Sequence, residues 1–557
     1  MPTQPPPPEP SSVKETVISV IIAFALAFVF RGFVIEAFLI PTGSMAPTLR
    51  GAHMQFKSPQ SGYEWAVTPW QYADQAHQVP NPVQTRITVH DPMTEWEIHQ
   101  SEVARSWGDR IFVMKYLYSI YDPERFDVVV FKNPRDPTVN YIKRLIGLPG
   151  QMVALVDGDV FWRDVQPGEV DDRGNSLVPD PWALPGWHAA HKPERAQRAM
   201  WQPVFSSEYT PLTATASNRR WFTSPWVAPP ASHDWQIQDR RDYVYSGSGP
   251  TSLEWDTTHH PIDDRYSYNE GMLPYIGPYP VSDIRLSLGF RPQVEGERVS
   301  AIVTARGHEF RGDIDGSTVT LRMRPVDTSG QGTKDWTVLA TANLSGPLPA
   351  GRVTNIDFWH VDQALSMFID DTLVASKEYT WGIQERLFNS TGMNLEQVMA
   401  QPLSLIESHG AALPAAAPGG RPVYSRPQAR FEFSGGGFTA YRVALARDIY
   451  YQPAQYSDAN DAGLAHSKAR QPALGTHPTN TVILNKDQFF VCGDNSPQSL
   501  DARLWDLPNP WVAEIDPKMG VVNRDLVIGK AFFVYFPAPK RRGSVPVPDF
   551  GSMRFIW

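Results

Sequence analysis

In several runs between residues 284 and 445 apolar side chains recur at every second position, and that period of two constrains the fold more than any other feature of this chain. Ile284, Leu286, Leu288 and Phe290 form one such run, and Val319, Leu321 and Met323 form another. Phe431 and Phe433, then Val443 and Leu445, repeat the pattern. Successive strand residues face opposite sides of a sheet, whereas a helix needs spacings of three and four, so these runs predict half-buried strands. The runs 353–362 and 365–374 read as two further strands joined through a turn, with a hairpin turn at Asp370-Asp371. Over 383–406 the spacing of Leu387, Met393, Val398, Met399 and Leu403 breaks the alternation and predicts a helix.

The chain has 557 residues, more than one hydrophobic core can organise, so several units are expected. Short β-branched and aromatic runs at 108–115, 126–132 and 139–146, the last ending in the Gly-Leu-Pro-Gly turn at 147–150, predict strands of a second, mostly β unit. Its last strands are read at 488–492 and 527–536. This unit takes in residues 36–57, 107–162 and 481–540, and two stretches interrupt it. The first, 58–106, is polar with aromatics. The second comprises 163–280, rich in Trp, Pro and Arg and assigned to no class, then the sandwich region 281–452 and a linker at 453–480. Residues 541–557 read as a tail. The insert's ends are expected to lie close together, with the strand after Gly150 and the strand before Gly493 in one sheet.

Residues 17–30 carry no charge, and the apolar character resumes after Arg31 and Gly32. A helix over 13–35 would reach the ~20 residues that a membrane anchor needs, with Arg31 snorkelling to the interface. A cleaved secretory signal, with an apolar core of about 7 to 15 residues, is the competing reading, and Ala23, Ala25 and Ala27 suit it. Lys14 is offset by Glu15, so charge alone gives no orientation. Residues 1–12 read as a proline-rich, disordered tail.

The balance of 50 Lys+Arg against 59 Asp+Glu gives a net charge of −9 without a long basic run, which disfavours a nucleic-acid partner. The single cysteine, Cys492, can form neither an intrachain disulfide nor a zinc site alone, and reads as a small buried residue on a strand. The stretch 57–65 (KSPQSGYEW) has the spacing of a zinc knuckle with serines where thiolates would stand, and the fourteen histidines show no ligand spacing. No metal and no cofactor are expected.

Chemistry is concentrated in three stretches: 40–49 (IPTGSMAPTL), 141–150 (YIKRLIGLPG) and 493–503 (GDNSPQSLDAR). The first presents Ser44, and the second presents Lys143 with Arg144 as its only charged neighbour. A serine hydroxyl is a poor nucleophile until a base takes its proton, and a neutral lysine amine can do so if its pKa falls. Lys143 lies between Ile142 and, beyond Arg144, Leu145, and desolvation of an ammonium there would favour the neutral base.

In sequence, in order and in position after an apolar N-terminal segment, the three stretches resemble the signature boxes of bacterial type I signal peptidases. The likeness covers roughly a third of the chain. It implies a β core with one N-terminal transmembrane helix; separately, the paired runs 353–362 and 365–374 with their Asp370-Asp371 hairpin resemble those of concanavalin/laminin-G-type jelly rolls and imply a large inserted sandwich. The signal-peptidase likeness implies Ser44 as nucleophile and Lys143 as general base, with the oxyanion held by the Ser44 N–H and Thr42. Ser499 would orient the lysine amine. Arg144, Asp494, Asp501 and Arg503 would support it as ion pairs, while Ala502 replaces a serine common in that box. Met45 and Pro47 would shape the loop. Phe38, Ile40, Leu49, Tyr141 and Ile142 match positions lining shallow apolar pockets, and packing in the core is an equally open reading for each. The implied substrate is a preprotein with Ala-like residues one and three positions before the cut. The implied location is the bacterial cytoplasmic membrane, single-pass, with a cytoplasmic N-terminus and the catalytic unit on the outer side. An uncleaved anchor fits this better than a cleaved signal, since cleavage would detach a site that works at the bilayer.

Two rivals stand beside this reading. One is a membrane-tethered module that binds a glycan or a protein through the sandwich, on a relic peptidase core. The other is a serine/lysine hydrolase that cuts itself, though such proteins carry a DNA-binding domain for which nothing here provides. The ligand of the insert is left open between glycan, protein and none.

Overall fold

The computed structural model describes residues 13–74, 78–171, 174–211, 224–230, 232–237, 241–270, 279–327, 332–333, 335–400, 426–457, 468–542 and 545–557. The tail expected over 1–12 and the end of the helix expected over 383–406 lie outside them. The fold is mainly β. The sheet that carries Lys143 runs Ile35–Leu39, Arg110–Met114, Val527–Phe536, Val128–Asn133, Asp136–Gly147, Gln488–Cys492, Val522–Asn523, and Arg554–Phe555 flanks Val527–Phe536. The run Val128-Val-Val-Phe131 has no polar member because this sheet is covered on both faces. Val128 and Val130 pack with Ile40, Leu49 and Ile111 on one side. Val129 and Phe131 pack with Leu145, Phe490 and Trp505 on the other.

The strand after Gly150 departs from expectation. Gly150 turns at φ 77°, and Gln151–Val156 heads a second, four-stranded sheet with Asp159–Asp164, His188–Ala189 and Val482–Ile483. The strand before Gly493, Gln488–Cys492, stays in the Lys143 sheet, where Cys492 faces Arg144. The two ends of the insert still meet, because Met152 pairs with Ile483 and Val153 with Val482.

Two sheets, of eight and seven strands, face each other over one shared core that includes Leu286, Phe290, Phe310, Phe358, Phe431 and Leu445. Ile284, Leu286, Leu288 and Phe290 are all buried, as their alternation predicts. Positive φ at Asp362 and Gln363, and again at Asp370 and Asp371, makes the tight two-residue turns that suit right-twisted hairpins. Residues 163–280 are no separate unit. Gln202–Ser206, Trp235–Gln236 and Tyr243–Tyr245 join one sandwich sheet, and Trp226–Val227 and Thr251–Trp255 join the other. These strands span two to five residues, too few to display a period.

Three further expectations change. The helix expected from 383 is two helices, Ile383–Thr391 and Leu395–Met399, because Gly392 at φ 71° ends the first and Asn394 with Gln397 forms a capping box for the second. The tail expected at 541–557 returns to the core, with Arg554–Phe555 paired to Val527–Phe536 and Ile556 buried. The N-terminal segment forms the helix Val13–Phe33, yet among the described residues no helix is long and apolar enough to cross a membrane. Lys14, Glu15 and Arg31 confine its uncharged part to residues 16–30, which rise about 22 Å against a hydrocarbon core of about 30 Å.

Candidate active site

Ser44 sits in the turn that follows Ile35–Leu39, wedged against the third box. Asn495 N–H donates to the Ser44 carbonyl at 3.0 Å, and Asn495 Nδ2 donates to the Gly43 carbonyl at 3.0 Å. Within the turn, Ala46 N–H reaches the Gly43 carbonyl and Leu49 N–H the Met45 carbonyl. Gly493 lets this approach happen, because a Cβ there would overlap both the Ser44 carbonyl and the Ser499 hydroxyl. Ser44 remains half-buried, open enough to meet a substrate.

Lys143 comes from the Asp136–Gly147 strand, and its Nζ donates to Ser44 Oγ at 2.6 Å. The residue is 4% exposed. Burial lowers its pKa from 10.5 to about 8, and Asp501 and Asp494 offset only part of that fall. The Tyr141 ring lies 5.4 Å from the amine.

Those two carboxylates are held by arginines rather than by the lysine. Arg144 takes Asp494 in a bidentate pair, Nε to Oδ1 at 2.7 Å and Nη2 to Oδ2 at 2.7 Å, and Thr48 Oγ1 donates to the same carboxylate at 2.5 Å. Arg144 Nη1 also donates to the carbonyls of Phe126 and Trp557. Arg503 takes Asp501 in a second bidentate pair at 2.9 Å on both arms, and Asp501 Oδ2 accepts the Gly493 N–H. The expected support is thus two ion pairs close to the lysine, and all four side chains are buried.

The structure brings Ser44 and Lys143 together and places the other expected residues less directly. The Ser499 hydroxyl is buried beside Gly493 and has no hydrogen-bond partner among the described residues, so the bond expected to the lysine amine is absent here. Thr42 is exposed, and among the described residues its hydroxyl makes no bond to the dyad. Ile40 and Leu49 are fully packed in the core under the sheet, which excludes them from lining an open pocket. Phe38, Tyr141 and Ile142 are half-buried. Ser58 and Ser61, in the knuckle-like stretch, hold a turn: Ser58 Oγ accepts from the Ser61 N–H, and Ser61 Oγ donates to Asp91.

Asp159, Asp283 and Asp362 offer oxygens within 4.8 Å of one another, where a metal could be imagined. Each already faces a cation: Arg386 at 2.5 Å from Asp159, Arg306 at 2.6 Å from Asp283 and Lys192 at 2.5 Å from Asp362. This cluster ties the sandwich to the second sheet. Reading the sequence missed Tyr268, which packs against the Ser44 turn from the insert, and Asn269, which bonds Asn495 beside it, and gave Asn495 no role. Membership of the third box could have flagged Asn495, whereas nothing local marks residues 266–270.

Residues 94–179 and 444–536 match the family described as signal peptidase, peptidase S26. Those segments contain Lys143 and the third box, and Ser44 lies outside them. Signal peptidase I of Rickettsia typhi is 29% identical over 153 residues, covering 28% of this chain and 44% of that protein. Signal peptidase I of Rickettsia massiliae is 28% identical over 146 residues, covering 26% and 41%. The chain spans less than half the length of these relatives. Over these segments it resembles type I signal peptidases, which supports a protease. Among solved structures, the carbohydrate-binding module CBM66 from Bacillus subtilis aligns at 9% identity and a TM-score of 0.22, over 40% of this chain and 96% of that one.

Proposed function

We propose that this chain is a serine endopeptidase that releases signal peptides from exported preproteins through Ser44 and Lys143. The observation that carries the reading is the 2.6 Å approach of a buried, pKa-lowered lysine amine to a serine hydroxyl. Neutral Lys143 accepts the Ser44 proton as Oγ bonds to the scissile carbonyl carbon. The same proton then passes to the departing amine, and the acyl-enzyme forms as the peptide C–N bond breaks. Water, deprotonated by Lys143, opens the ester and restores Ser44. The Ser44 N–H and Thr42 are the proposed oxyanion donors, Thr42 by rotation of its exposed side chain. Ser499 is proposed to turn toward the amine once substrate excludes water.

The proposed substrates are preproteins whose signal peptides end in Ala-x-Ala-like sequence, met at the outer face of the bacterial cytoplasmic membrane. Supporting a lipid contact, Val17, Ile21, Phe24, Leu26 and Phe28 of the N-terminal helix are each at least half exposed. The test is cleavage of such a preprotein by the full chain. Ser44→Ala and Lys143→Ala should each abolish turnover, and the double variant should be no worse than either, because the pair acts as one unit. Turnover by folded Lys143→Ala near the parent rate would overturn the mechanism.

A further inference from the structure

We propose that the inserted segment 266–270 completes the nucleophile turn and that Asn269 is a positioning residue for Ser44. The proposal rests on the reading of Ser44 as nucleophile, and it joins two parts of the chain that are far apart in sequence. Asn269 Nδ2 donates to Asn495 Oδ1 at 2.7 Å, and Asn495 Nδ2 donates back to Asn269 Oδ1 at 2.9 Å. The same Asn495 Nδ2 donates to the Gly43 carbonyl, while the Asn495 N–H donates to the Ser44 carbonyl. Asn269 and Asn495 are 1% and 2% exposed, so water does not compete for these groups.

An asparagine amide has one acceptor oxygen and two donor hydrogens. With Asn269 present, the orientation of the Asn495 amide is fixed: its oxygen takes the Asn269 donor and its nitrogen serves Asn269 and Gly43. Without it, a buried carbonyl loses its donor and the amide turns to find another, which costs Gly43 its bond. Tyr268 adds a steric limit. Its ring fills the space that a Gly43 Cβ would occupy, and its hydroxyl donates to the Ala52 carbonyl at 3.2 Å.

The segment is fastened from behind by the small 58–106 insert, so it presents Asn269 from a fixed base. Thr68 N–H donates to the Tyr268 carbonyl at 2.7 Å, and Gln71 Nε2 donates to the Glu270 carbonyl at 3.1 Å. The His90 backbone N–H donates to the Glu270 carboxylate at 2.9 Å, and His90 Nδ1 lies 2.6 Å from it. Both inserts therefore act on one turn of the catalytic unit. Sub-ångström placement of a nucleophile governs rate far more than binding, so the signature of this role is in kcat.

The test uses the full chain with Asn269→Ala, Asn269→Leu, Asn495→Ala and the Asn269→Ala/Asn495→Ala pair, each rate taken per mole of folded protein. Expected is a fall in kcat of about 10- to 100-fold with KM within about twofold for both Asn269 variants. The pair should be no worse than Asn495→Ala alone. Amide hydrogen exchange over residues 43–50 should quicken about tenfold or more in Asn269→Ala. A kcat within twofold of the parent in both Asn269 variants, with a lowered melting point, would reduce the pair to a structural contact and overturn the proposal. If the parent itself cleaves nothing, the enzymatic reading has failed and exchange alone decides: unchanged protection over 43–50 overturns the inference, and accelerated exchange sustains it.

Discussion

Lys143 and Lys192 both hide their amines from solvent, and both lie near an aromatic ring, Tyr141 at 5.4 Å and Phe126 at 5.7 Å. Burial works against the charged form in each. For Lys143 it prevails and the pKa falls to about 8. At Lys192 the carboxylates of Asp362 and Asp448, 2.5 and 2.7 Å from Nζ, outweigh it and raise the pKa above the ordinary value. The difference lies in who owns the nearby carboxylates. Asp494 and Asp501 also stand near Lys143, but Arg144 and Arg503 hold them in bidentate pairs, and the lysine is left with a neutral hydroxyl. Denying a buried amine its counter-ion leaves it easily deprotonated, as a base requires, while supplying two makes a joint.

The largest effect should come from breaking the joint. Lys192→Met leaves Asp362 and Asp448 buried without their shared cation and should cost about 3 to 5 kcal/mol of stability at pH 7. Chemical denaturation followed by tryptophan fluorescence measures it. A loss under about 1 kcal/mol would mean that Lys192 is a spectator and that the contrast with Lys143 is empty.

The opposite sign is expected at the dyad. Lys143→Met should abolish turnover on the proposed mechanism, yet it should stabilise the fold at pH 7 by on the order of 1 to 3 kcal/mol, because an amine whose folded pKa is about 8 against 10.5 when unfolded opposes folding in its charged form. The sign follows from proton counts. Between about pH 8 and 10.5 the unfolded chain holds a proton that the folded chain has released, so parent stability climbs with pH across that window. The gain from Lys143→Met is therefore full below about pH 8 and vanishes above about 10.5. A destabilised Lys143→Met at pH 7 would break the comparison.

The same contrast explains what could be read in the sequence. Lys143 was legible because Ile142 and Leu145 flank it on a strand and the three boxes agree in order; Ser44 followed from the first box. The strands of the sandwich were legible wherever alternation ran long enough, as at Ile284 to Phe290. Lys192 was not, since Asp362 approaches it from a turn and Asp448 from just past a strand end, both far along the chain, and no local pattern announces a tertiary ion pair. Asn269 escaped for the same reason. Nor did the sequence reveal how far the insert enters the catalytic unit: Ala190, Met200, Ile449 and Tyr451 pack into the same core as Phe131 and Cys492. Exchanging residues 163–480 for a flexible linker would open that core and remove Asn269, so the insert is no detachable module.

The smallest effect is a shift in rate, and it tests the lysine without altering it. If deprotonated Lys143 is the base, about a tenth of the enzyme is competent at pH 7 and about nine-tenths at pH 9, so cleavage should rise about tenfold along a limb centred on about pH 8. This corresponds to roughly 1.4 kcal/mol. The buried imidazole near the nucleophile turn, His53, cannot imitate that limb: burial pushes its pKa down to about 4, and its Nδ1 lies 2.8 Å from the Gly51 carbonyl. Rates on a preprotein from pH 5 to 10 decide the matter. A limb centred on 8 assigns the proton to Lys143; one below about 6.5 would give it to a histidine, and one near 10.5 would mean that the amine is solvated and that its isolation from Asp494 and Asp501 has no consequence for chemistry.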